Sequence, residues 1–159
     1  ILIMIYTGVR IDELLSLKKE NIHLEEHYFD VVKSKTENGI RKVPISDYIY
    51  PFIENWYHSS KCEYLLHTEE NKRFKYRNYY DSYFLPLMIQ LGFDQTPHCC
   101  RHTCISLLAE AEVSPTYQKM IVGHKGAMSL IEKIYTHIDI KLLIDAVNSI
   151  YYPKSIKNK

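Results

Sequence analysis

Apolar residues recur along this chain mostly at helical spacing, with one stretch that reads as strands. Residues 1–6 are nearly all apolar and read as the end of a buried helix, broken at Thr7-Gly8. From Arg10 the run RIDELLSLKKENI turns Ile11, Leu14, Leu15 and Leu17 inward, which predicts a second helix. Residues 28–45 predict a β-hairpin, because Asn38-Gly39 is a strong turn signal between the strand-like runs YFDVVKS and IRKVPIS. Ser46-Asp47 can cap a helix through IYPFIENWYHS, whose apolar stripe is Ile49, Phe52, Ile53 and Trp56. The run EYLLH (63–67) is a candidate extra strand, and residues 68–77 are a polar loop entering a helix over 76–91.

In the last third, Thr96 to Leu108 predicts a helix, and Ser114-Pro115 opens a shorter one over 115–121 with an N-cap and a proline at N1. Residues 128–135 predict a further turn or two of helix ending in Tyr135. Asp139 can cap the final helix, where Leu142, Leu143, Ala146, Val147 and Ile150 form an amphipathic stripe. The pattern describes an α+β fold, mostly α-helical with a small antiparallel sheet, as one domain over residues 1–150 with a basic tail over 151–159.

Composition narrows the function classes. A chain of 159 residues with 46% hydrophobic and 25% charged residues can bury a real core. Its net charge of +1 gives no global vote for nucleic acid, so any such contact must come from a local patch. Three of the 4 cysteines crowd between Cys99 and Cys104, unlike a disulfide framework, and a reducing cytoplasm is the simpler expectation. No apolar run approaches the roughly 20 residues of a membrane span, and no membrane partner is expected. The chain starts without methionine inside an apolar segment, which reads as a fragment lacking an N-terminal portion.

Candidate chemistry concentrates between Thr96 and His137. On a helix, His98, Arg101 and His102 share one face. His124 follows a glycine at a helix end, and Tyr135 lies further on. Two histidines, an arginine and a tyrosine suit an electrostatic cradle for an anion beside a phenolic nucleophile. Arg10 sits near a helix start, where a cation opposes the dipole unless an anion is near; Glu13 can hold it, though a plain surface pair is the competing reading. Lys33, Lys35, Arg41 and Lys42 crowd the hairpin, where solvated turn lysines compete with ligand contact. Lys72, Arg73, Lys75 and Arg77 interleave with Phe74, Tyr76, Tyr79 and Tyr80, which suits phosphate contact with stacking or simply a solvated helix entry. A zinc site on His98, Cys99, Cys100, His102 and Cys104 is disfavoured, because only His98 and His102 share a helix face and Cys62 stands alone.

The segment TGVRIDELLSL, the hairpin with SKT before its turn, the H-x-x-R-H run, and GH followed by YTH occur in the order found in tyrosine recombinases, the phage and transposon integrase family. The resemblance covers residues 1–150. It implies the catalytic-domain fold of DNA breaking and rejoining enzymes. It places the family's catalytic residues on Arg10, Lys35, His98, Arg101, His124 and the nucleophile Tyr135, with Glu13 and His102 in support. Lys33, Arg41, Lys42, Lys72, Arg73, Lys75 and Arg77 are then the expected DNA-binding cations.

The resemblance further implies attack of the tyrosine on a DNA phosphodiester, a 3′-phosphotyrosine intermediate, and rejoining after strand exchange, with no metal or other cofactor. Expected partners are double-stranded DNA, other protomers in a synaptic tetramer, and accessory DNA-bending or directionality factors. A family N-terminal domain would close the other half of a clamp around DNA. The final helix resembles the element passed between subunits, and its stripe fits docking in cis or exchange in trans. Two departures stand out: the interval from His124 to Tyr135 is a little long, and Cys100 occupies a usual leucine position. A type IB topoisomerase-like enzyme and a DNA-binding module without catalysis are the alternatives.

Overall fold

The structure is a computed structural model that describes residues 1–33, 40–123 and 138–152. Helix α1 (Leu2–Thr7) buries Ile3, Met4, Tyr6 and Thr7 and packs against α6 (Pro97–Glu110), so the two helices form the centre of the domain. α1 ends where the sequence predicts, at Gly8, whose left-handed φ of 63° reverses the chain.

The second helix is shorter than its apolar pattern. α2 (Ile11–Leu15) stops where the Ser16 hydroxyl donates back to the carbonyl oxygens of Asp12 (2.6 Å) and Glu13 (3.2 Å). Such local bonding competes with helix continuation. The following residues pair elsewhere: Leu65 N donates to Leu17 O at 2.9 Å, and a 3₁₀ turn spans Lys19–Asn21. The expected strand at 63–67 is thus reduced to isolated bridges, Lys18 with Tyr64 and His67 with Arg73.

Both strands of the expected hairpin form, shorter than the runs that predict them, and the Asn38-Gly39 turn lies outside the described residues. β1 (Ile22–His23), β2 (Tyr28–Val31) and β3 (Arg41–Pro44) make an antiparallel sheet in the order β1-β2-β3. Phe29 pairs with Val43 and Val31 with Arg41. Since alternate residues of a strand face one side, Phe29, Val31, Val43 and Arg41 share the face turned to the core. Lys42 faces the other way, with its ammonium 4.6 Å from the centre of the Tyr28 ring.

Helix α3 (Tyr50–His58) starts later than its expected cap: Ile49 is the N-cap, and the Ser46 carbonyl accepts from Ile49 N and Tyr50 N instead. Residues 76–91 are helical throughout, as α4 (Tyr76–Tyr79), a π-helical turn (Tyr80–Phe84) and α5 (Leu85–Leu91). Ser114 caps α7 (Pro115–Val122) through a 3.3 Å bond from Tyr117 N, and Asp139 caps α8 (Ile140–Asn148) through a 3.0 Å bond from Lys141 N. α8 buries Leu143, Ala146 and Val147 against its own chain, packing on β3 and α7. Asp47 N donates to Asn148 Oδ1 at 2.9 Å, and the Tyr48 and Tyr152 rings stack at 4.4 Å. Among the described residues no helix is long and apolar enough to cross a membrane.

Candidate active site

The elements that meet beside α6 are the start of α2, the inward face of β3 and the end of α7. Each brings a charged or polar group because of a local sequence feature. Arg10 is the N-cap of α2, just before the first turn in which it was expected. Its amide donates to Glu13 Oε2 at 3.0 Å and its Nη1 to Glu13 Oε1 at 2.9 Å. Glu13 therefore closes the N-terminus of α2 and holds the Arg10 side chain at once. Glu13 is 8% exposed, so this is not the solvated surface pair that the sequence left open.

Arg41 reaches the same carboxylate from β3. Its Nη2 lies 3.2 Å from Glu13 Oε2, and its Nε donates to Ile121 O at 2.8 Å. Its side chain is only 7% exposed. This differs from the expected DNA-facing cation, and the cause is strand alternation, which puts Arg41 on the side of Val43 and not of Lys42. A signal was present in the sequence: Arg41 stands two positions before a valine of the core face.

Arg101, from the middle of α6, is 4% exposed. Its Nη1 donates to Gly8 O at 2.7 Å and its Nη2 to Gly123 O at 3.3 Å. Both acceptors are left-handed glycines at helix ends, with φ of 63° and 65°. A Cβ at Gly123 would come within 2.9 Å of Arg41, so the glycine also makes room for that guanidinium. The two helix-ending glycines were legible as breakers, whereas their carbonyls as the seat of Arg101 were not.

The electrostatics follow from this crowding. Burial comes first, then the charges of Arg10 and Arg41, and together they press Arg101 down to about 10, with Glu13 offsetting only part. Arg101 still carries its charge at neutral pH. For Glu13, burial alone would raise the pKa, but the Arg41 charge and the hydrogen bonds from Arg10 and Arg41 outweigh it and hold the carboxyl below its ordinary 4.5. The cluster thus sets two guanidiniums on Glu13, with the charge of Arg101 near enough to feel all three, an arrangement suited to an added anion.

His98 and His102 stand one turn apart on the exposed side of α6, with ring centres 4.8 Å apart and planes perpendicular. Burial, then the charges of His102, Arg101 and Arg10, keep His98 below its ordinary 6.5. The neutral, proton-accepting form of His98 is therefore favoured. Cys100 and Cys104 point into the core, and burial pushes the Cys104 thiol up to about 12, where it is no nucleophile. Among the described residues no three of His, Cys, Asp and Glu are grouped to hold a metal.

Of the remaining expected cations, Lys33 and Arg73 line a pocket together with Glu13. Lys33, Lys42, Lys72, Lys75 and Arg77 are exposed. Arg73 donates from Nε to Leu15 O at 3.0 Å, with its guanidinium 5.6 Å from the centre of the Tyr64 ring. Arg77 pairs with Asp81 at 3.4 Å. Lys35, His124 and Tyr135 lie outside the described residues.

Comparison with known proteins bears on this arrangement. Residues 1–141 match the phage integrase family. The tyrosine recombinase XerA of Thermococcus kodakarensis is 29% identical over 149 residues, which cover 90% of this chain and 51% of that protein. A tyrosine recombinase of Agathobacter rectalis is 25% identical over 141 residues, covering 84% of this chain and 45% of that protein. The chain thus spans about half the length of the curated relatives it matches. Among solved structures, the integrase of mycobacterium phage Brujita shares the fold with a TM-score of 0.73 at 17% identity, over 94% of this chain and 50% of that one. The Tn1549 transposon integrase in complex with transposon right end DNA shares it with a TM-score of 0.66 at 21% identity, over 88% of this chain and 54% of that one. The match over nearly the whole chain establishes that this protein belongs to the phage integrase family.

Proposed function

We propose that this chain is the catalytic part of a tyrosine-type site-specific DNA recombinase that cuts and rejoins double-stranded DNA. The observation that carries the reading is the joint placement of Arg10 and Arg101, with Glu13 fixing the first and the Gly8 and Gly123 carbonyls fixing the second. Two arginines so held can grip the non-bridging oxygens of one phosphodiester and stabilise the charge that builds on it during displacement. The tyrosine recombinases among its relatives and the DNA complex of the Tn1549 integrase support DNA as the substrate.

In the proposed step the Tyr135 oxygen attacks phosphorus, the bond to the 5′ oxygen breaks, and a 3′-phosphotyrosine forms. His98, whose neutral form is favoured, takes the phenolic proton. Lys35 gives a proton to the departing 5′ oxygen, and His124 adds a hydrogen bond to the phosphate. His102 braces the helix that carries His98 and Arg101. A 5′-hydroxyl from another strand then attacks the phosphotyrosine and restores the tyrosine, so the bond energy is kept and no energy source is consumed. Exchange of strands between two duplexes calls for several protomers on DNA, as in a synaptic tetramer.

The test uses the intact protein on a nicked duplex recovered from random-sequence DNA by binding to it. The nick lets the short cleaved strand diffuse away and traps the intermediate. A covalent protein–DNA adduct formed by wild type and lost in Tyr135→Phe supports the reading. An adduct that persists in Tyr135→Phe moves the nucleophile elsewhere, and binding without any adduct replaces the enzyme with a DNA-binding module.

A further inference from the structure

Arg41 belongs by sequence to the basic hairpin, yet its side chain is 7% exposed and, among the described residues, engages two other segments of the chain. Its Nε holds the Ile121 carbonyl at the end of α7, and its Nη2 holds Glu13 Oε2 in α2. The same Oε2 accepts the Arg10 amide, while Oε1 accepts Arg10 Nη1. Rotation of the Glu13 carboxylate would therefore move the Arg10 guanidinium, and Arg41 is the group on the β3 side that blocks such rotation. Gly123 leaves the space it needs, since a Cβ there would meet Arg41 Cδ and Nη1 at 2.9 Å.

We infer that Arg41 is a positioning residue, which ties Glu13 of α2 to β3 and to the end of α7 and thereby fixes Arg10 for the scissile phosphate. The inference rests on the recombinase reading for its purpose and on the hydrogen bonds for its geometry. Arginine suits the task because its planar fork reaches two acceptors in two directions at once, whereas a lysine offers one compact charge. What separates Arg41 from Lys42, the adjacent outward-facing cation, and from the equally buried Arg101 is its direct bond to Glu13 Oε2, an oxygen of the carboxylate that holds Arg10.

The experiment compares wild type, Arg41→Lys, Glu13→Gln and the double variant in the intact protein. Thermal melting checks the fold, and binding to the selected duplex is followed over a salt series. Covalent adduct formation is timed at saturating DNA, and the Arg10 side-chain Nε–H resonance is observed without DNA. Arg41→Lys is expected to keep the salt dependence of binding and to slow adduct formation by about 100-fold, the scale of loss for a reacting group displaced by about 1 Å. The Arg10 resonance shifts and broadens, and the double variant is no slower than the slower single variant, because both changes release the same clamp. Weaker binding with a salt slope reduced by about one phosphate contact would make Arg41 a DNA ligand and overturn the inference. Unchanged adduct formation with an unmoved Arg10 resonance would also overturn it. Should Arg41→Lys not fold, Arg41→Gln keeps a donor for the Ile121 carbonyl and is read in the same way. Failure of wild type to form an adduct counts against the recombinase reading alone, and the Arg10 resonance still decides the clamp.

Discussion

Arg41 Nη2 lies 3.2 Å from Glu13 Oε2, the oxygen that also accepts the Arg10 amide at 3.0 Å. This carboxylate joins the hairpin to the helix that begins at Arg10. Its consequences reach stability as well as the proposed chemistry.

Glu13→Gln removes a largely buried charge from between two guanidiniums and is expected to destabilise the fold by about 3 kcal/mol at neutral pH. The pH dependence has a definite sign. The folded-state pKa lies below 4.5, so the stabilisation is fully present above the unfolded value and is lost as pH falls through the folded one. Urea melts across that acid window are expected to show a steep loss for wild type and a flatter one for Glu13→Gln. Parallel curves would show that Glu13 is not the group responsible.

His98 titrates below 6.5, with the protonated form disfavoured in the folded protein. If it accepts the nucleophile's proton, adduct formation is expected to fall as pH drops through a midpoint below 6.5, where the imidazole becomes charged. The unfolded chain binds the proton more readily, so stability also falls as pH drops across that interval. His98→Asn is expected to abolish the acid limb of the rate profile; a limb unchanged in that variant would assign it to another group.

Gly123→Ala tests the seat of two arginines with one methyl group. The residue is left-handed at φ 65°, and the added Cβ would press on Arg41 from 2.9 Å. Backbone conformation alone makes this unfavourable by roughly 1–2 kcal/mol, before any displacement of Arg41. Melting temperature and adduct formation are expected to fall together, whereas Gly92→Ala, whose Cβ would meet nothing within 4 Å, lowers stability alone.

Lys42, Lys75 and Arg77 are exposed on the hairpin and on the entry to α4. Each that touches a phosphate is expected to reduce the salt slope of DNA binding by about one when replaced by alanine, with similar losses on unrelated sequences. A variant whose slope is unchanged has a solvated cation there.

Much of this was legible in the residues. Periodicity located the hairpin strands, and turn and cap chemistry located the end of α1 from Gly8 and the caps Ser114 and Asp139. The spacing of His98, Arg101 and His102 put them on one helix, although Arg101 turns inward to two carbonyls while both histidines stay exposed. Where local patterns misled, a competing interaction had won. The Ser16 hydroxyl ended α2 early, and Leu17 paired with Leu65 across a long stretch of chain. The inward turn of Arg41 depends on the register of β3 and on a partner far away in sequence, which charge counting along the hairpin does not reveal.

The central claim is that the arginines around Glu13 answer the negative charge of a DNA phosphate. It is tested most directly by replacing the scissile phosphate with an uncharged methylphosphonate and timing adduct formation by wild type and Arg10→Ala. On the ordinary linkage Arg10→Ala is expected to lose about 100-fold or more, the scale of removing one preorganised donor. On the methylphosphonate that loss is expected to shrink to a small fraction, because the charge Arg10 would compensate is gone. An equal loss on both linkages would contradict the account and leave Arg10 a purely structural role.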